Sequence, residues 1–499
     1  MTAKIKKIGL IQNAPLPGDF SANLRAIVQG YRDCLDHGAE LVVAPAAALC
    51  GLDPRSLVNR RSFLRQMNAA MNALSAELGS APLLLGGYGK IFADDELAED
   101  EWVIEGAEND YFDDSLDPEP DVVPVPFLLE HDSVTELEDA EVTTVDNTDI
   151  YVLIGDEEVL PESSDFDILV HLSAEPWYAG EAEKAHDRCS WEAQTNVCTV
   201  VHCAAVGMYG NRIYGGGSAL YNSAGKPLLR LPFFETSAKV GNTAGKTLAP
   251  ALPEAAEMLR MAVERGIRDT VRNNGYGGAC IPADHPNSTL LTALAVSALG
   301  SGNVCCVTFE GNKTAAETLH ADCICHEPDS VQNAAAALLH LESPTPALTQ
   351  RLRASMTMTE AEARGLMLLS PLDRRDIMTG QFTLYGDTCG YLAPLSNLYE
   401  MDIYMLCKHF SEQQPDLFGS LTEPTHPERD RIIHELADRN VGASDLLKNN
   451  GLLFKENDVR LIQRQIIASE LKRAQMPIVL HVDAPEQQLK FPISHRLND

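Results

Sequence analysis

The stretch Ile281-Pro-Ala-Asp-His-Pro-Asn-Ser-Thr-Leu-Leu-Thr-Ala-Leu-Ala-Val-Ser-Ala-Leu-Gly300 has the layout of a nucleotide-binding turn, a short loop that opens directly into an apolar helix. In such turns glycines give the loop its conformational range, while backbone N–H groups and the helix N-terminus hold phosphate. Here no glycine lies between Gly278 and the helix, and Pro282 and Pro286 flank the loop. Pro286 removes a backbone donor, and Asp284 puts a negative charge where phosphate would lie. The helix over Ser288–Leu299 is therefore expected to pack a domain, with a loop poorly suited to anions.

Working outward, a helix over Ala255–Asn274 precedes this turn and a strand over Val304–Phe309 follows it. Further helices are expected over Ser330–Leu341, Thr359–Leu369, Leu395–Phe410 and Asn457–Ala474. The N-terminal half alternates strand and helix: Lys7–Gln12, Ser21–His37, Glu40–Pro45, Ser62–Leu78 and Pro82–Tyr88. Later strands fall at Ile150–Ile154, Phe166–Leu172, Asn196–Ala204 and Gly217–Tyr221. This pattern implies layered α/β domains. Thr243–Glu254, with Pro250 and Pro253, reads as a linker, giving domains over residues 1–245 and 255–499.

At 499 residues and 45% hydrophobic content, the chain has material for two or three cores. A formal charge of −33, from 72 acidic against 39 basic residues, disfavours nucleic acid and anionic membrane as partners. No apolar run approaches the roughly 20 residues of a membrane span, and the N-terminus lacks a secretory pattern, so the cytoplasm is the expected location. The twelve cysteines mostly sit in apolar runs such as Val304-Cys-Cys-Val307, as reduced buried thiols do. Cys323, Cys325 and His326 are spaced more tightly than a zinc knuckle, and no metal is expected there. Between Lys90 and Lys184 there is neither lysine nor arginine. The dense acidic run Asp94–Asp121 within that interval reads as a polyanionic surface or as a docking site for a basic protein partner.

Thr383-Leu-Tyr-Gly-Asp387 with Gly390 and Ala393-Pro394, then Ile267-Arg-Asp269, Ala293–Gly300 and Lys472-Arg473 with Gln475 and Pro477, form an ordered set in the C-terminal half. Leu41-Val-Val-Ala-Pro45, Pro176, Gly180 and Gly216-Gly-Ser218 do so in the N-terminal half. In this order and at these intervals the chain resembles the glutamine-dependent NAD+ synthetases over nearly its whole length. The resemblance implies a nitrilase-like α-β-β-α layered domain followed by a Rossmann-like α/β domain of the ATP pyrophosphatase type. It also implies a homo-oligomer, a dimer or a larger assembly up to an octamer.

The family's reactions make demands on particular side chains. Amide hydrolysis in this class uses a cysteine nucleophile, a glutamate base and a lysine at the oxyanion. The resemblance places Ala46 at the glutamate and Gly155 at the cysteine, and the lysine would fall within the lysine-free Pro124–Glu138. Adenylation needs a glycine-rich loop around the pyrophosphate and carboxylates for magnesium. Ala283, Asp284, His285 and Asn287 occupy that loop, of which only Ser288 survives unchanged, and the loop that carries the family's magnesium-binding glutamate is missing before Thr383. Ser288, Arg364 and Asp387 match family residues and are the remaining nucleotide-binding candidates. No catalytic residue and no cofactor are expected, and the leading expectation is a catalytically inactive homologue serving a structural, scaffolding or regulatory role in an oligomer. The alternatives are a ligase with altered or ammonia-only chemistry, or a sensor that binds ATP or an NAD-related nucleotide without turnover. ATP, Mg2+ or an NAD-related nucleotide enters only under these.

Overall fold

A computed structural model describes residues 4–52, 54, 57–58, 60–90, 122–137, 140–155, 166–246, 248–419, 421–425, 427–450, 453–480 and 482. The acidic run Asp94–Asp121 lies outside the described residues. The chain divides into two compact units, one of residues 1–175, 183–206 and 214–251, the other of 176–182, 207–213 and 252–499.

The first half of the chain runs β1 (Lys7–Gln12), α1 (Phe20–Asp36), β2 (Leu41–Val43), α2 (Arg61–Ala76), β3 (Leu83–Lys90), β4 (Val122–Glu130), β5 (Ser133–Glu136), β6 (Glu141–Val145), β7 (Thr148–Ile154), β8 (Ile168–Ser173), α3 (Glu181–Thr195) and β9 (Thr199–Ala204). It continues through β10 (Val206–Tyr209), β11 (Arg212–Gly215), β12 (Ala219–Tyr221), β13 (Pro227–Arg230) and β14 (Ser237–Asn242). Two six-stranded sheets result, ordered β14-β1-β2-β3-β4-β5 and β13-β12-β9-β8-β7-β6. Alternation along each strand decides which core a residue joins. Ile8 and Leu10 of β1 and Leu41 and Val43 of β2 pack with Val152, Val170 and Val201 of the other sheet. Val42 points the other way, into a core with Ile27 and Tyr31 of α1 and Met67 and Met71 of α2. Tyr151 and Leu169 likewise meet Cys189 and Ala193 of α3. The layers are thus α-β-β-α, with the central core formed where both sheets turn their apolar faces inward.

In the second unit α4 (Ala255–Asn273) leads to β15 (Gly278–Pro282), α5 (Ser288–Leu299), β16 (Val304–Thr308), α6 (Thr314–Leu319), β17 (Asp322–Cys325), α7 (Asp329–Leu338), α8 (Pro346–Ala363) and β18 (Leu366–Leu368). All four strands are parallel and ordered β17-β16-β15-β18. The chain steps from β15 to β16 and β17 on one side, then returns to add β18 on the other, so the strand order reverses between β15 and β18. Ligands of open α/β sheets bind at such a reversal, beyond the carboxyl ends of the strands. Beyond it lie α9 (Arg374–Thr379), β19 (Leu392–Ala393), α10 (Glu400–Gln413), α11 (Pro427–Ile433), α12 (Ala443–Asn450), α13 (Glu456–Ala468), α14 (Glu470–Arg473) and β20 (Ile478–Val479). Ile377, Phe382, Ile432, Leu446 and Ile462 bury a separate helical core there.

Three expected helices differ from the observed ones. The helix expected over Thr359–Leu369 begins at Pro346 with Thr345 as its N-cap, and stops at Ala363. Gly365, at φ +66°, turns the chain, and Leu366–Leu368 joins the sheet as β18. The helix expected from Leu395 begins at Glu400, where Asp402 closes a capping box onto the Tyr399 N–H. The closing helix over Asn457–Ala474 is broken at Ser469, whose hydroxyl donates to the carbonyl of Met378.

Candidate functional site

A cavity of about 190 Å3 opens beyond the carboxyl ends of the parallel strands. Pro282 ends β15 and Leu368 ends β18 on its wall, so it lies where the strand order reverses. One face of α8 supplies a second wall: Gln350, Arg353, Ala354 and Thr357 recur at intervals of three and four, as a single helical stripe must. Asp284, His285 and Pro286 come from the loop before α5, and Asp387 and Cys389 from the turn after α9.

The loop is closed on itself. Ala283 donates its N–H to Val307 (2.8 Å), and Ser288 donates its N–H to the carbonyl of His285 (3.0 Å). The N–H of Asn287 goes to His285 Nδ1 (3.2 Å), and its amide Nδ2 to Pro371 and Asp373. The Ser288 hydroxyl donates to the carbonyl of Pro282. Asp284 turns its carboxylate across to β16, where one oxygen accepts from the Thr308 hydroxyl and the other from the Phe309 N–H (2.7 Å). Thr308 Oγ1 in turn accepts from the N–H of Asn312 (3.0 Å), and the Asn312 amide donates to Ala283 (3.1 Å). An internal carboxylate thus takes the donors at the end of β16.

The electrostatics follow from burial. Because His285 Nδ1 accepts from Asn287, the neutral ring carries its proton on Nε2, which lies 3.8 Å from Asp376 Oδ2. Burial holds the imidazole below its ordinary value, against the opposing pull of Asp373 and Asp387. Asp376, which with Asp373 forms the capping box of α9, is pushed up to about 7 by burial and by the neighbouring Asp373 charge. Arg353 pairs with Glu310 (2.8 Å) and its guanidinium lies 5.6 Å from the Phe309 ring centroid.

Of the residues matched to nucleotide binding, Asp387 lines the cavity and accepts the Thr383 N–H (2.7 Å). Ser288 spends its hydroxyl within the loop. Arg364 is not on the cavity wall; it caps α8 and pairs with Asp322 (3.0 Å) and, more loosely, Glu360. The α8 stripe lies ahead of the helix expected from Thr359, thirteen residues after the true start; the Thr345-Pro346 start and the three-four spacing that follows are the signals that mark it. Cys323, Cys325 and His326 do not converge, since His326 turns to Glu360 (3.2 Å). Among the described residues no group of three or more His, Cys, Asp or Glu is arranged to hold a metal.

In the first unit Gly86 of β3 lies against Ala46 and the side chain of Ile154. A Cβ there would lie 2.4 Å from the Ala46 carbonyl oxygen and 2.7 Å from Ile154, the residue before Gly155. Pro126 of β4 pairs with Gly86 across the sheet, bringing in the lysine-free strand. Ala46 is buried in the central apolar core. Gly155 follows β7 at φ +86°, donates its N–H to the carbonyl of Leu172 and has no atom within 4 Å of where a Cβ would stand. Cys50 and Cys203 are fully buried; burial pushes Cys50 up to about 12 and Cys203 higher still, and the Cys203 thiol donates to the carbonyl of Ile11 (3.3 Å). Such thiols are poor nucleophiles.

The NAD synthase family profile matches residues 262–418, the parallel sheet with α4 to α10. Over 94% of its length the chain is 24% identical to a glutamine-dependent NAD+ synthetase of Synechocystis sp., covering 94% of that protein. It is 25% identical to the one of Rhodobacter capsulatus over 81% of the chain and 78% of that protein. The chain is thus similar over most of its length to glutamine-dependent NAD+ synthetases, and residues 262–418 carry the NAD synthase domain. The solved structures agree on the fold. The glutamine-dependent NAD+ synthetase of Cytophaga hutchinsonii superposes with a TM-score of 0.80 at 13% identity, covering 98% of both chains. That of Acinetobacter baumannii, solved with ADP, gives 0.72 at 19% identity, covering 98% of this chain and 97% of the other. The nitrilase-like α-β-β-α layers followed by the Rossmann-like parallel sheet are therefore the architecture of the synthetase family. No helix among the described residues is long and apolar enough to cross a membrane.

Proposed function

We propose that this NAD+ synthetase relative carries out neither amide hydrolysis nor adenylation and serves a structural, scaffolding or regulatory role in an oligomeric assembly. The observation that supports this most is the Asp284 carboxylate bonded to the Thr308 hydroxyl and the Phe309 N–H. An anion already built into the loop repels a second one, and reaching phosphate would mean breaking two charge-assisted hydrogen bonds. In the first unit Ala46 has no proton to transfer and Gly155 no nucleophile to offer. Assembly into homo-oligomers and docking of a basic partner on the acidic 94–121 run belong to the same proposal, as does a cytoplasmic location. No cofactor is required by it.

A sensor that binds ATP or an NAD-related nucleotide without turnover is the second reading, favoured by the cavity's place at the reversal of strand order. Calorimetry with MgATP and deamido-NAD+, together with assays of glutamine hydrolysis and ammonia-dependent AMP release, separates the readings. No heat and no product is the expected result. Nucleotide binding without product would favour the sensor, and AMP release dependent on ammonia would sink the proposal.

A further inference from the structure

We propose that the cavity between β15, β18 and α8 binds a small organic cation, an amine or amidine, in place of a nucleotide. The inference rests on the reading above that phosphate no longer binds beside Asp284. Its first support is charge. The wall carries three carboxylates, Asp284, Glu310 and Asp387, against one guanidinium, Arg353. Arg353 is already committed to Glu310 and to the Phe309 ring, and the Asn287 N–H on Nδ1 fixes His285 as a neutral donor. An anion entering this space meets carboxylates and no uncommitted cation.

The carboxylates keep capacity for a donor. A carboxylate offers about four acceptor positions. Asp284 uses one on each oxygen, and the bond to Asp387 from the Thr383 N–H engages Oδ2. An ammonium or amidinium gives several N–H donors to such a pair, with a charge-assisted geometry that a neutral ligand lacks.

Shape points the same way. About 190 Å3 is below the roughly 300–1,000 Å3 of pockets that hold drug-sized ligands. Phe309, the phenyl ring on the wall, is already engaged by the guanidinium of Arg353 and by the ring of His326 stacked at 5.8 Å, rather than held open for a stacking base. What remains apolar, Pro282, Val307, Ala354, Leu368 and Pro371, suits a short hydrocarbon or single-ring body.

Three probes of one shape and different charge test this on the full-length chain by calorimetry: benzamidine, benzamide and benzoate. Benzamidine should bind at least about ten-fold more tightly than benzamide, and benzoate should give no heat. Asp387→Asn should weaken benzamidine about ten-fold, and Ala354→Leu, which fills the cavity without touching a charge, should abolish its binding. Equal affinity for benzamidine and benzamide, or benzamidine binding indifferent to both variants, overturns the proposal. Silence from all three probes together with silence from MgATP also overturns it and leaves the loss of phosphate binding standing. MgATP binding that Ala354→Leu removes overturns both.

Discussion

The two places to which the resemblance assigns the family's reactions contrast in how their space is occupied. Around Gly86 of the first unit, the groups are small and apolar: Ala46 belongs to a core of Ile8, Leu10, Leu84 and Val152, and Gly155 carries no side chain at all. Beside β15 of the second, the loop is crowded with polar groups that satisfy one another, Asp284 with Thr308 and Phe309, Asn287 with His285 and Asp373. One place is apolar and part of a core; the other is filled by polar groups bonded to one another. A core position is indifferent to charge only so long as none is introduced, whereas a self-satisfied polar loop needs every member it has.

Restoring chemistry therefore has opposite consequences in the two places. Ala46→Glu buries a carboxylate in the central core with no lysine supplied by β4, and should cost about 3–5 kcal/mol of stability in urea denaturation, the penalty of an uncompensated buried charge. Adding Gly155→Cys should still yield no ammonia from glutamine, because Pro124–Glu138, where the resemblance places the oxyanion lysine, holds none. A stable, glutamine-hydrolysing double variant would break the comparison. Asp284→Ala should cost less, about 1.5–3 kcal/mol, because it removes hydrogen bonds to a charged group and leaves the Phe309 N–H without its acceptor. Asp284→Asn, which keeps an oxygen for that N–H, should recover much of the loss in the same melts. If the alanine variant were as stable as the parent, Asp284 would not be holding the end of β16, and the filled loop would be an accident of surface polarity.

The fold was legible because it rests on periodicity and motif order. The strand over Leu41–Val43 is visible in the chain, though not the sorting of its apolar residues into two cores, and so is the apolar helix Ser288–Leu299, found with its expected ends. The cavity was only half legible. Its loop wall, Asp284 and His285, follows from the altered turn, but its helical wall depends on where α8 starts. Thr359–Leu369 looks helical by apolar content, although Gly365 breaks it and Leu366–Leu368 is drawn into the sheet by pairing with Gly278–Cys280. That pairing is a long-range choice, and no local propensity records it. Nor does sequence disclose that the Asp284 carboxylate reaches β16, since Thr308 stands twenty-four positions away.

The smallest expected effect is one of pH, and it sharpens what it means for a loop to be filled with its own charges. Asp376 and His285 face each other at 3.8 Å and are shifted in opposite directions, the acid up to about 7 and the base down. A carboxyl raised above its unfolded value binds its proton more tightly in the folded chain. Its contribution to stability is full at low pH and is lost as pH rises toward 7. For His285 the folded chain resists protonation, so its contribution is full above the unfolded value and is lost as pH falls below it. Between pH 4 and 7 the two oppose, and the parent chain should show a shallow profile in thermal melts across that range. Asp376→Asn should raise the melting temperature at pH 8, where the parent holds two carboxylates, Asp373 and Asp376, in one capping box, and should leave it unchanged at pH 4. His285→Gln should do the reverse, raising it at pH 5 and not at pH 8. Were both variants to shift the melt equally at every pH, the two groups would be spacers in the loop, and the polar filling of this centre would owe nothing to ionisation.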